Sequence, residues 1–240
     1  YKTIIMKKRG IILNSEHIMA ILEDRKNQHR VIVNPQPSLK SGVGKWIKNK
    51  KIQEIGGQDV VLQYMEKNNP IGQPGDELFV KETCKAKPGQ LPSLPDGVLY
   101  KADESVIFIE NSREDSEKWM DLRYYGGRQY CWAPAVHMPE WAARIILRIK
   151  SVHVERLKEI TEIDAIQEGV KFYPHDVIGP RFMDYMADAS GYGHPDHDFP
   201  TVSKASESFF SHWQKINGPD SLDKNPWVWV LNFSVQKIKK

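Results

Sequence analysis

Apolar residues recur in short, separated runs along this chain, and each run predicts one element. The first runs, at 2–6 and 11–13, flank Lys7-Lys8-Arg9-Gly10 and read as a strand and a turn. Ile18, Met19, Ile21 and Leu22 repeat at helical spacing, so a helix is expected from an N-cap at Ser15 to about Asp24. Val31-Ile32-Val33 reads as a strand ended by Pro35 and Pro37. Val60-Val61-Leu62 with Tyr64 is a further strand candidate. Gly72-Gln73-Pro74-Gly75-Asp76 is a tight turn by composition. After it, Leu78, Val80 and Thr83 fall on one face of a strand, with Glu77, Phe79, Lys81 and Glu82 on the other.

The second half follows the same style. Val98-Leu99-Tyr100 and Val106-Ile107-Phe108-Ile109 read as paired strands. Residues 132–141 are dense in Trp and Pro and end in a helical turn. Ile145, Leu147 and Ile149 alternate, then Val152 and Val154 alternate in the opposite phase, which predicts one long strand with a bulge near Lys150-Ser151. Thr161 with Asp164 forms a capping box, and Gly169 is a helix stop, so a short helix lies between them with Ile163 and Ile166 inward. Phe209, Phe210, Trp213 and Ile216 mark a helix face, and Trp227 to Gln236 is the cleanest strand in the chain. Polar stretches near 38–57, 85–130 and 171–200 read as insertions. The pattern predicts an α+β fold over residues 1–240, a single domain built as a small closed or half-closed β-barrel with packed helices and long loop insertions.

Composition narrows the class. With 40% hydrophobic residues and seven Trp, a sizeable core is available and a wholly disordered chain is excluded. No apolar run approaches the roughly 18 residues of a membrane helix, and no secretory leader is visible, so a cytoplasmic protein is expected. Two widely spaced Cys, Cys84 and Cys131, give no thiolate zinc pattern. Net charge is only +3, but the first 51 residues concentrate the Lys and Arg. That excess is compatible with nucleic acid as partner.

The chemistry-bearing stretch is Asp24-Arg25-Lys26-Asn27-Gln28-His29-Arg30, a charged knot between apolar runs. It reads either as a solvated turn or as a site for an anionic or polar ligand. Trp46, in a basic segment, is either a packing anchor or a base-stacking ring, Trp132 is either core or a base-stacking ring, and His137 is either a cleft-lining residue or a hydrogen-bonded structural His. His194, Asp196, His197 and Asp198 form a metal-like cluster without a visible scaffold, and no metal or other cofactor is assigned.

Four motifs in order carry a family resemblance. Arg25-Lys26-Asn27-Gln28-His29-Arg30 resembles the Gly-Arg-Lys-Thr-x-Thr-x-Arg type signature of ASCH domains, in the PUA-like superfamily. Pro74 to Glu82 resembles the Gly-Asp-x-Leu-x-Val-x-Glu turn and strand of that family. The segments 132–141 and 225–230 resemble those of larger ASCH-related proteins common in phages and prophages. The resemblance implies a PUA-like β-barrel with a cleft where the knot meets the helix after the long strand. It implies RNA binding; taken with the residue readings above, the expected partner is RNA, DNA or a modified nucleotide, with Arg25, Lys26, Arg30, Trp46, Trp132 and His137 as candidate binding residues. Some small bacterial members hydrolyse N4-acetylcytidine with Lys, Thr and Glu, and another branch has ribonuclease activity. Matched residue by residue, the Lys falls on Lys26 and the Glu on Glu168. The Thr falls on His29, and the signature Gly falls on Asp24. A hydrolase would then use Lys26, His29 and Glu168; a third class, a phage assembly or host-interaction protein, would use the barrel only as a scaffold.

Overall fold

The computed structural model of the protein describes residues 7–40, 43–48, 51–54, 57–89, 95–110, 112–174, 179–187 and 200–239. In chain order the elements are β1 (Lys8–Ile12), α1 (Ser15–Leu22), β2 (Gln28–Ile32), β3 (Ser38–Lys40), β4 (Val43–Lys48), β5 (Lys51–Glu54) and α2 (Gln58–Lys67). Then come β6 (Glu77–Lys81), β7 (Cys84–Lys87), β8 (Gly97–Tyr100), β9 (Val106–Phe108), α3 (Arg113–Arg123) and β10 (Ile145–Arg156). Last are α4 (Glu162–Gln167), β11 (Phe172–Tyr173), β12 (Arg181–Met183), β13 (Thr201–Val202), α5 (Ala205–Asn217) and β14 (Trp227–Ile238). The fold is mixed α+β, as the pattern predicts. Among the described residues the strands form a five-stranded sheet, order β1-β6-β10-β14-β2, and three three-stranded sheets; none closes into the expected barrel.

The chain divides into two compact units. The first comprises residues 1–23, 75–149 and 234–240. In it β1 runs parallel to β6, from Lys8 opposite Glu77 to Ile12 opposite Lys81. Its core gathers Cys84, Ala86, Val98, Tyr100, Trp119, Leu122, Ala133 and Met138. The second unit comprises residues 24–74 and 150–233. Here β14 is buried on both faces. Trp227 and Trp229 join Val33, Trp46, Val61 and Met65 on one side, while Val228 and Val230 join Leu157, Ala165, Phe209 and Trp213 on the other. That explains a strand whose alternate positions are all apolar from 227 to 231.

Several expectations hold. The Thr161–Asp164 capping box is formed, Gly169 adopts a φ of 89°, and Val98 to Phe108 is a paired hairpin. In β10 the buried positions run Ile145, Leu147, Ile149 and then Val154, so the phase does slip. Others are corrected. Asn14, not Ser15, caps α1, its side chain accepting from the His17 amide. Residues 60–64 lie in helix α2, where Val61 and Met65 are buried one turn apart. The predicted insertion at 38–57 holds the hairpins β3–β4–β5, and that at 85–130 holds β7 and α3, with Trp119 and Leu122 of α3 buried. Glu82 falls on the inward face of its segment, one residue out of the predicted phase, because its carboxylate meets Arg144. Ile163 and Ile166 are exposed, and Ala165 is the buried residue of α4.

Candidate functional site

The charged knot is not a turn throughout. Asp24 takes a left-handed φ of 56°, a conformation Gly adopts most easily and Asp tolerates. From Lys26 onward the backbone is extended, and the knot passes into β2. Lys26, Gln28 and Arg30, two residues apart, therefore point to the same inward face and are all buried. Pairing with β14 fixes them, with Gln28 opposite Asn232, His29 opposite Leu231 and Arg30 opposite Val230. The Asn27 amide donates to Gln167 O at 2.9 Å, and its carbonyl accepts from the Phe233 amide at 2.9 Å. Those two bonds tie the knot to the end of α4 and to β14.

Glu168 closes α4, its amide donating to Asp164 O at 2.8 Å. Lys26 Nζ donates to Glu168 Oε2 at 2.5 Å and to the Glu168 carbonyl at 2.8 Å. Arg30 Nη1 donates to Glu168 Oε1 at 3.1 Å and also to Gln28 Oε1. On its other edge Arg30 gives Nε and Nη2 to Glu155 Oε1 at 3.0 and 2.6 Å. Phe209 of α5 lies beneath the guanidinium, 5.6 Å from ring centre. Gln28 Nε2 reaches Asp164 Oδ1 at 3.0 Å and Asn232 Oδ1 at 2.9 Å, and Asn232 donates onward to Ser151 Oγ at 3.0 Å. Arg25 Nη1 donates to the Gly169 carbonyl. Lys26 and Arg25 thus also supply donors to carbonyls at the C-terminal end of α4.

Two cations, Lys26 and Arg30, meet three carboxylates (Glu155, Asp164, Glu168) in this cluster and are spoken for by Glu168 and Glu155. A basic cleft presenting Lys26 and Arg30 to phosphate is not what the side chains build. His29 Nδ1 lies 3.9 Å from Glu168 Oε2, and its side chain keeps 12% exposure against 0% for Lys26. The approach to the cluster is therefore past His29, Glu155 and Asp164.

Protonation sets this cluster apart. Burial lowers the Lys26 pKa from its ordinary value, Glu168 opposes that, and Arg30 and Arg25 reinforce it. Burial, then the charges of Lys26, His212 and Arg30, hold His29 well below the usual imidazole value, so it is neutral near pH 7. Burial pushes Glu155 and Asp164 upward, but hydrogen bonds from His153 and Arg30 to the first, and from Thr161 and Gln28 to the second, bring both below the ordinary carboxylate range.

Lys26, His29, Arg30 and Glu168 are thus brought together, with Arg25 beside them. Trp46 is not a stacking ring. It is buried at the edge of Trp229 and Tyr64, with Nε1 donating to Pro35 O at 3.2 Å. Trp132 and His137 belong to the first unit, where both are exposed; His137 lies tilted against Tyr125, ring centres 5.6 Å apart, and Trp132 carries the Lys85 ammonium 4.7 Å above its ring. The His194–Asp198 cluster lies outside the described residues, among which no group of three or more His, Cys, Asp or Glu is arranged to hold a metal. Sequence reasoning missed Glu155, Asn232 and Phe209 as members of the site, and gave Gln28 no role beyond its place in the knot. Asn232 carries a visible signal, being the first polar residue in an apolar strand run from 227. No family model matches this sequence, and no curated protein or solved structure matches it either.

Proposed function

We propose that the second unit recognises a modified nucleotide at the Lys26 cluster and hydrolyses an amide on its base, the N4-acetylcytidine type being the class suggested by the ASCH-like, PUA-like resemblance. The observation that carries this reading is Glu168 placed between a buried Lys26, 2.5 Å away, and a neutral His29, 3.9 Å away. His29 takes the proton of the attacking water as the new C–O bond forms. His29 then hands that proton to the leaving nitrogen as the C–N bond breaks, while Glu168, held by Lys26, steadies the imidazolium between the two transfers, and the acid released loses its proton to solvent. The products are a carboxylate and the free amine. Histidine here takes the position of the family's threonine, so water, not a side-chain hydroxyl, is the nucleophile.

Incubation of the protein with N4-acetylcytidine, followed by chromatography, tests the reading. Release of cytidine and acetate is expected, with a loss of about 100-fold or more for Glu168→Gln, the usual contribution of a positioned acid–base group. Binding without turnover would reduce the site to recognition alone, and neither binding nor turnover would overturn the proposal.

A further inference from the structure

The loop that closes α3, in the first unit, holds an arginine without a carboxylate. Arg123 ends the helix, and a tight turn through Gly126 and Gly127, at φ of 66° and 76°, brings Tyr130 back so that its amide donates to Arg123 O at 2.9 Å. The guanidinium is half-buried among three rings, Tyr130, Tyr124 and Trp119, whose centres lie 5.1, 5.3 and 5.7 Å from its central carbon. Ring contacts balance the charge but leave the N–H donors in need of acceptors. Nη1 reaches only the Met120 sulfur at 3.8 Å, and Nη2 reaches Gln129 Oε1 at 3.4 Å, a long bond. Nε is buried and meets no acceptor.

Two other arginines show what the same edge takes elsewhere in the chain. Arg144 gives Nε and Nη2 to the two oxygens of Glu82, and Arg30 gives Nε and Nη2 to Glu155 Oε1. A planar carboxylate is the acceptor that matches such a fork. Among the described residues none stands against Arg123, because the acids of α3 are engaged or turned away. Glu117 is held by Arg113, Glu114 by Lys118 and Asp115 by the Ser112 hydroxyl. Asp121 lies two positions before Arg123, about 200° round the helix. The surroundings are open. Tyr124 and Met120 are 44% and 39% exposed, and Arg128 is exposed and pairs with no carboxylate among the described residues. No atom lies within 4 Å of where a Cβ would stand on Gly126 or Gly127. Tyr, Met and Arg are the side chains enriched where proteins dock.

We propose that Arg123 is the docking point for a carboxylate side chain on an acidic segment of a partner protein. The incoming carboxylate displaces the loosely held Gln129 amide and takes the Nε–Nη2 edge, as Glu82 does at Arg144. Tyr124 and Met120 cover its methylenes, and Arg128 draws the neighbouring acids of the segment. The rings keep the guanidinium in place before the partner arrives, so little side-chain freedom is lost on binding. The surface uses no residue of the Lys26 cluster, and its function stands whether or not that cluster hydrolyses anything.

The test titrates the isotopically labelled full chain with hexaglutamate, with hexaglutamine as the neutral counterpart and with inorganic phosphate and hexathymidylate as rival anions. The readout is the Nε–H resonance of Arg123, identified by its loss in Arg123→Lys. Hexaglutamate is expected to shift that resonance saturably at low salt, and hexaglutamine to leave it in place. Fluorescence anisotropy of labelled hexaglutamate then compares variants. Arg123→Lys keeps a cation among the rings but removes the fork, and should weaken binding about tenfold, the loss of one hydrogen bond to a charged group. Arg128→Gln should weaken it less and flatten its dependence on salt. Circular dichroism checks that each variant is folded. An Arg123 resonance unmoved by hexaglutamate, equal binding by Arg123→Lys, or phosphate or hexathymidylate binding as tightly as hexaglutamate would each overturn the proposal.

Discussion

Each unit buries an arginine among carboxylates, and the two clusters are built to different ends. In the first unit Arg144 grips Glu82 with both edges matched, Nε to Oε1 at 2.7 Å and Nη2 to Oε2 at 2.8 Å, and gives Nη1 to Asp103 at 2.8 Å. Burial pulls the Arg144 pKa down, but the bonds to Glu82 and Asp103 outweigh it and raise it further. Among its neighbours, burial raises the Glu82 carboxyl against the opposing bonds from Arg144. Burial pushes the Cys84 thiol up to about 12 and raises Tyr100, whose hydroxyl donates to Ala142 O at 2.7 Å. In the second unit Glu168 is shared between Lys26 and Arg30, and both Lys26 and His29 are displaced toward their neutral forms. Buried charge alone does not mark a working site. What separates the two is that the second brings a Lys and a His, both displaced toward their neutral forms, to one carboxylate, whereas the first holds its cation firmly charged.

That contrast can be broken by mutation. The largest expected effect is Glu82→Ala, which leaves Arg144 buried with Asp103 as its one carboxylate partner and costs about 3–5 kcal/mol of stability, read by urea unfolding. A loss below about 1 kcal/mol, the value of an exposed pair, would show that Arg144 is not held as described. Replacing both partners, Glu82→Leu with Arg144→Met, should restore most of the loss. Lys26→Met comes next. Glu168 retains Arg30, so stability falls by about 1–3 kcal/mol, the worth of hydrogen bonds to a charged group, whereas hydrolysis falls about 100-fold. Equal damage to stability from Lys26→Met and Glu82→Ala would erase the distinction between the clusters. Thr161→Ala removes the cap of the helix that carries Glu168 and should cost about 1 kcal/mol in the same assay.

The smallest expected effect is on a slope. His29 has a folded pKa well below 6.5, so below pH 6.5 the unfolded chain takes up a proton that the folded chain refuses. Stability therefore falls as pH drops through that window. His29→Asn should flatten the fall between pH 6.5 and 5, and an unchanged slope would show that His29 is not buried neutral.

Much of the fold was legible because the period of apolar residues reports it directly. The Thr161 cap, the phase slip after Ile149 and the hairpin from Val98 to Phe108 are all local patterns. Where a buried residue is polar, the same reading fails. Glu82 reads as outward once Thr83 is set inward, although its position in the alternation is in phase with Leu78 and Val80. The knot was opened to a solvated reading because it is charged, yet Lys26, Gln28 and Arg30 keep a strict period of two. Val60 to Tyr64 went wrong differently. Four apolar residues in five fit a strand as well as a helix, and only packing of Val61 with Met65 decides. The partners of Arg30 were beyond reach because Glu155 lies 125 residues away, on the half of β10 after the slip. Glu168 was reached through the motif resemblance, not through local pattern.

The inward charges of β2 bear on how the strand finds its place. β2 is the last strand of its sheet, with one edge on β14. Such strands are prone to slip or to recruit a stranger's edge. A shift of one residue would turn Gln28 and Arg30 outward and bring His29 and Val31 in. Glu155 and Glu168 would then lose Arg30 and face His29 and Val31 instead. Ionic complementarity thus acts as a key cut for one alignment, and it guards the nascent chain against mispairing and against strand exchange between molecules.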